Sequence, residues 1–327
     1  MSAIKTRPNN GRSMNGGLMS RLKVVLSLCL PLVLLMSAST VRAANLFVNC
    51  GGKVGLTSIA AAIKVAKFAG PSTITVSGAC HENVVIQSLD RLTLNAASGA
   101  SITDTSGGNL SAVTIDDSRD VAISGFTING GANGGADGID CQDGSVCRLN
   151  GNTIQGAANG YGVGVFFSQV FLDGGTLQNN FAGLAVINGA SGKATNVNIE
   201  NNSIGIEIRT HSFVNTTATI TANSAGGVFV HESGTLSCPG CQITGNGNIG
   251  VILKRDSSAR LYGAYAVTGN TGGGIQLNEE SSVYFAPGTV TGNTGGMDVF
   301  CGSSYTTARF ATTNIGGGTT NCVEPSP

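Results

Sequence analysis

Tryptophan is absent from this 327-residue chain, and all aromatic residues together make up 5% of it, so an interior built from this sequence has to be filled with aliphatic side chains. Charge is scarce as well, at 11% Asp, Glu, Lys and Arg, and the basic residues form no cluster. That excludes the usual electrostatic footprint of a nucleic-acid binder. Neither a phosphate-cradling glycine loop nor a zinc-protease motif occurs. Helical spacing of apolar residues is missing too, apart from one short stretch near the start.

What is present begins with a leader. Arg21 and Lys23 precede the apolar run VVLSLCLPLVLLM, and SASTVRA then places Val41 and Ala43 before a cleavage point. This is the pattern of a secretory signal peptide over residues 1–43. The run is too short to anchor the mature chain in a membrane. Removing it takes away six basic residues and leaves 12 basic against 18 acidic, a net charge of about −6. Eight cysteines remain, an even number in an exported chain, and this reads as disulfides. Proximity pairs Cys50 with Cys80, Cys141 with Cys147, Cys238 with Cys241 and Cys301 with Cys322. A redox or metal role for the CPGC stretch lacks a second pair or a suitable histidine.

The mature chain repeats itself. An apolar residue followed by a short polar stretch and Asn recurs at Leu177, Ile199, Ile220, Ile243, Val267 and Val290, in steps of 22, 21, 23, 24 and 23 residues. After each Asn comes Gly and an alternating apolar pair: GLAV, GIEI, GVFV, GVIL, GIQL and GMDV, with weaker versions upstream. Alternation is the strand period, and Gly and Asn are expected to mark turns that need a left-handed backbone. A unit this short cannot bury its own apolar face, but stacked about 4.8 Å above its neighbour it can. The sequence predicts an all-β parallel β-helix of roughly ten coils over 81–327, with Asn180, Asn202, Asn223, Asn246, Asn270 and Asn293 as an internal amide ladder. Residues 44–80 read as a cap: LTSIAAAIKVAKFAG carries Ile59, Ile63 and Ala66 at helical spacing and stops at Gly70 and Pro71. Such a cap covers the open edges of the first coil.

The helix cap, the ITVSGACHENVVI stretch and the Asn-laddered coils resemble the right-handed parallel β-helix, or pectin-lyase-like, superfamily. The resemblance implies a fold that hosts lyases, hydrolases, esterases, epimerases and non-catalytic surface proteins. Signatures of the catalytic relatives are missing: there is no Asp-Asp followed by Gly-His-Gly, no Arg-x-Pro-x-x-Arg and no Gln-Asp-Thr pair.

Aligning the coils on the Gly puts most of the scarce charge on one outward strand face. One patch is acidic, with Asp116, Asp117, Asp140 and Asp143 beside Phe166 and Phe167. It is a candidate calcium site or a proton-sharing carboxylate group, although solvated turn acids carry the same signature. The other patch is mixed, with Glu207, Arg209, His211, His231, Glu232, Lys254 and Arg255 over consecutive coils, continued by Asp256, Gln276, Asn278, Glu279 and Glu280. β-Elimination needs a base and a cation to neutralise a uronate carboxylate; His231 or Lys254 fits the first role, Arg209 and Arg255 the second. Alternating signs on a solvent face also arise simply from charges pairing with one another. A column of Thr221, Thr244, Thr268 and Thr291 fits water-ordering chemistry, but such a column more often reflects β-propensity alone. His81 reads as a structural residue of the cap.

Two functions remain open from the sequence. One is an exported protein, monomeric and without nucleic-acid partners, that binds or processes an extended polysaccharide. The other is a non-catalytic surface or matrix protein, a reading favoured by coils that differ by only a few residues and leave no long insertion to wall a cleft.

Overall fold

The computed structural model describes residues 43–302, 306–309 and 315–323, so the expected leader, Ala43 apart, lies outside the described residues. Every strand pairing is parallel, and the strands form three sheets that the chain visits in rotation. Sheet one has twelve strands, from Ala44–Asn49 and Ser72–Ser77 to Thr307–Arg309. Sheet two has ten three-residue strands, from Ala79–His81 to Thr289–Thr291, and sheet three has ten, from Val84–Gln87 to Val299–Cys301. The result is an all-β right-handed solenoid of about ten turns, with a single α-helix among the described residues.

Its interior is the aliphatic column that the composition demands. Val113 and Ile115, Ile139, Val163 and Val165, Leu184 and Val186, and Ile206 and Ile208 all point inward from sheet three and are fully buried. The four expected disulfides are formed, and Cys141–Cys147 and Cys238–Cys241 lie within this core.

The amide ladder stands at the corner between sheets two and three. Each Asn side chain donates to the next coil's Asn carbonyl, from Asn180 to Asn202 at 3.2 Å through to Asn270 and Asn293 at 2.8 Å. A second amide hydrogen reaches back to a main-chain carbonyl, as Asn223 does to Ile199. The ladder ends on Asp298, whose Oδ1 accepts from the Asn293 amide at 2.8 Å. A serine ladder holds the corner between sheets three and one, where Ser118, Ser145 and Ser168 hydroxyls each accept the main-chain N–H of the preceding coil.

The glycines that open the sheet-three strands have a different role from the one expected. They are needed for close approach: a Cβ on Gly162 would lie 2.7 Å from the Gly183 carbonyl, and one on Gly250 would lie 2.8 Å from that of Gly274. Left-handed backbone is found, as expected for Gly and Asn, directly before the ladder asparagines at Asn179, Asn201, Gly245, Gly269 and Gly292, and also at the exit from sheet three, where larger residues fill it, among them Asp117, Phe167, Thr210, Glu232 and Arg255.

The helix runs Ile59–Ala66, the span of its apolar spacing, and ends before the expected stop at Gly70. Ser58 caps it by accepting from Ala61 N–H, and the Glu82 carboxylate reaches over from the first coil to accept from Ile59 and Ala60 N–H. Ile59, Ala62, Ile63 and Ala66 are buried against the strands at 44–49, 72–77 and 84–87. Among the described residues no helix is long and apolar enough to cross a membrane.

Candidate functional site

Parallel register fixes which outward side chains of sheet three are neighbours. One column runs Thr114, Asp140, Gly164, Ala185, Glu207, Phe229, Ile252, Gln276 and Phe300. The second runs Asp116, Gln142, Phe166 and Ile187, and main-chain hydrogen bonds carry it on through Arg209, His231, Lys254 and Asn278. The sequence alignment holds for every coil except the last. There Phe300, and not Asp298, sits above Gln276, because the GMDVF run is shifted by two residues and turns Asp298 inward to end the amide ladder.

Glu207 is the anomaly of this face. It points outward, yet it is 2% exposed. Its Oε1 accepts from Arg209 Nε at 2.7 Å and from the Arg209 Nη2 group, whereas Oε2 is buried with no partner at full hydrogen-bond geometry and the carboxylate also faces the Tyr161 hydroxyl as a donor. A buried carboxylate oxygen without a partner is costly and calls for a functional or structural reason. Tyr161 lies close by, across a coil whose register positions carry only Ala182 and Ala185. Burial and the Glu207 charge push its phenol up to about 12, which keeps it protonated. Phe166 and Phe181 flank the Tyr161 ring at 6.3 and 6.4 Å. On the coil after Glu207, His231 packs edge-on against Phe229 at 5.9 Å, and its Nε2 is a second buried atom without a partner. Burial lowers the His231 pKa, with Arg209 and Lys254 acting in the same direction and Glu207 opposing them.

About three coil rises from Glu207, roughly 14 Å along the column, the face becomes acidic. Asp137 is buried, accepts from Tyr161 N–H at 2.8 Å, and is raised to about 7 by burial with a contribution from Asp140. Asp140 is raised to about 6 by burial and by Asp116 and Asp143, and its Oδ1 is unpartnered. Gly164 keeps this space open, since a Cβ there would strike the Asp137 carboxylate and approach the Phe166 ring to 2.9 Å.

The remaining expected site residues are placed differently. Asp117 and Asp143 lie in the exposed turn, and Asp117 accepts from the Ser88 hydroxyl. Among the described residues, the metal-type side chains that approach within ligand spacing as a trio are Cys50, Cys80 and Glu82. Both of those thiols are committed to a disulfide and the carboxylate caps the helix. His211 is exposed in the turn. Glu232 and Arg255 stack there with Glu279, Arg255 reaching Glu232 at 3.0 Å and Glu279 at 3.4 Å, all three substantially exposed. Lys254 remains on the strand column beside His231 and is half-buried.

Tyr161 and Asp137 were not among the residues singled out from the sequence. Both lie just before a strand-leading Gly, in positions that alignment on the Gly treats as turn. The available signal was the rarity of tyrosine, with five in the chain.

The family model for the right handed beta helix region matches residues 111–264. The fold is a right-handed parallel β-helix. Among solved structures, pectate lyase Pel9A is similar over 83% of this chain and 79% of its own, with 13% identity and a TM-score of 0.50. The A-module of mannuronan C-5 epimerase AlgE6 from Azotobacter vinelandii covers 82% of this chain and 95% of its own, with 15% identity and a TM-score of 0.43. The GH136 lacto-N-biosidase from Eubacterium ramulus covers 86% and 67%, with 9% identity and a TM-score of 0.45. At these identities the likeness is one of fold. No curated protein sequence matches the β-helix.

Proposed function

We propose that the β-helix is an exported protein that processes an extended polysaccharide along the outward face of sheet three, with Glu207 at the centre of the site. The observation that carries this reading is the Glu207 side chain: an outward-pointing carboxylate nearly sealed from water among Ala185, Phe229 and Tyr161, with one oxygen held by Arg209 and the other without a partner at full hydrogen-bond geometry. Four disulfides and the leader pattern of residues 1–43 support export.

The surrounding groups suit acid–base chemistry on a sugar. His231, with its pKa lowered, is a neutral imidazole near neutral pH and serves as the base. Tyr161, with its pKa raised, keeps its proton and serves as the acid. Arg209, fixed by Glu207, supplies positive charge for a substrate carboxylate. In β-elimination the C5–H electrons form the new double bond as the C5 proton passes to His231. The C4–O bond breaks, and the departing oxygen takes the Tyr161 proton.

The test is a panel of uronate polymers, with calcium and with chelator, followed by the ultraviolet absorbance of unsaturated products, with reducing-end and epimer assays beside it. Product formed by the wild type and lost in Glu207→Gln and His231→Ala supports the reading. Product formed equally by the variants moves the site elsewhere, and no product in any assay favours the non-catalytic alternative, for which the short loops between strands speak.

A further inference from the structure

The outward face of sheet one is built from different chemistry. Near its C-terminal end, register aligns Thr235, Ser258, Ser282 and Thr307 as an unbroken hydroxyl column, and beside it Ser237, Arg260 and Tyr284. Between the columns lies a shallow cavity of about 450 Å³. The Arg260 guanidinium lies 5.2 Å from the Tyr262 ring centroid and 5.4 Å from that of Tyr284.

Arg260 differs from the other ordered arginines with close partners. Arg148 is held by Asp120, Arg209 by Glu207, and Arg255 by Glu232 and Glu279. Arg260 has no carboxylate partner among the described residues, and its close contacts are the two aromatic faces. In a mature chain with an excess of acidic residues, an unneutralised guanidinium held against two rings and facing a row of hydroxyls is a complementary surface for an anion. The hydroxyls add donors and acceptors suited to a polyol, and an exposed Tyr284 ring offers an apolar face on which a pyranose can stack. The column spacing, one side chain per coil at about 4.8 Å, is close to the advance of one sugar in an extended glycan.

We infer that this cavity is a second glycan-binding site, taking an anionic oligosaccharide whose carboxylate or sulfate group meets Arg260 and whose ring lies on Tyr284. It sits on a different sheet from the Glu207 cluster and does not depend on catalysis there. Its role is to hold a stretch of polymer against the solenoid.

With no tryptophan present, emission comes from tyrosine alone, and two of the five tyrosines, Tyr262 and Tyr284, lie at the site. A Tyr161→Phe background silences the tyrosine of sheet three, and oligogalacturonate, a neutral oligosaccharide of equal length and sodium sulfate are titrated in turn. Saturable quenching by oligogalacturonate, weaker by about tenfold after Arg260→Gln or Tyr284→Ala, with the neutral sugar binding more weakly, is the expected result. Unchanged urea midpoints in these exposed-site variants separate lost binding from lost folding. Retention of wild-type binding by both variants, absence of saturable quenching in the background protein, or full displacement by sulfate at matched charge would overturn the proposal.

Discussion

Two stacks of charged residues adjoin on consecutive coils, and they behave as different materials. On the strand, Glu207, Arg209 and His231 are packed among Tyr161, Phe229 and small residues, with two polar atoms left without partners. In the adjoining turn, Glu232, Arg255 and Glu279 stand in water and neutralise one another, and the Thr210 hydroxyl donates to Glu232. Neighbours in sequence and similar in composition, the stacks differ in desolvation. A charge removed from water without full compensation is a resource for binding or chemistry, while one that keeps its water and its counter-ion is mainly a surface.

The comparison predicts unequal responses to losing an arginine. Arg209→Ala leaves the Glu207 carboxylate buried and unpaired, so urea unfolding should show a loss of about 3 kcal/mol, much of it restored by adding Glu207→Gln. A small loss from Arg209→Ala alone would mean that Glu207 is not buried as a charge.

The next effect is in pH. Asp137 and Asp140 hold their protons to about pH 7 and 6 in the fold and release them near 3.8 when unfolded. Between those limits the folded state binds more protons, so their contribution makes stability fall as pH rises through the window. Asp137→Asn should remove about 2 kcal/mol of that decline between roughly pH 4 and 7, measured by urea midpoints at each pH. Asp104 works in the opposite sense. Hydrogen bonds from Ser106 and Asn83 outweigh burial and hold it near 2, so its contribution is present above the unfolded value and fades as pH drops towards 2.

The smallest effect belongs to the turn. Arg255→Ala should leave the urea midpoint essentially where it was, with any residual difference disappearing in high salt. A large, salt-insensitive loss would erase the distinction between the stacks.

Most of the scaffold was legible in the sequence because it repeats. All six ladder asparagines and the in-register threonines Thr221, Thr244, Thr268 and Thr291 of sheet two stand where the period placed them, while the four disulfides pair as proximity suggested and the helix buries the residues its own spacing marked. The site was legible only as a list of charges. Burial of Glu207 arises from its neighbours on other coils, and Tyr161 reaches it across two alanines, relations that no single repeat records. Asp298 was misplaced for the same reason: at the end of the solenoid the pattern slips, and the residue performs a task that occurs once.

That task gives the ladder a direction. An asparagine amide both gives and receives, so a row of them can continue without limit and offers the next molecule the same invitation it offers the next coil. A carboxylate only receives. Asp298 takes the last amide protons of the row on one oxygen and those of Thr319 on the other, and these donors hold it ionised despite its burial. The aligned amide dipoles thus run into a negative charge at their positive end, and the row presents no unmet donor there. The amide row carries, in one side chain, its own full stop.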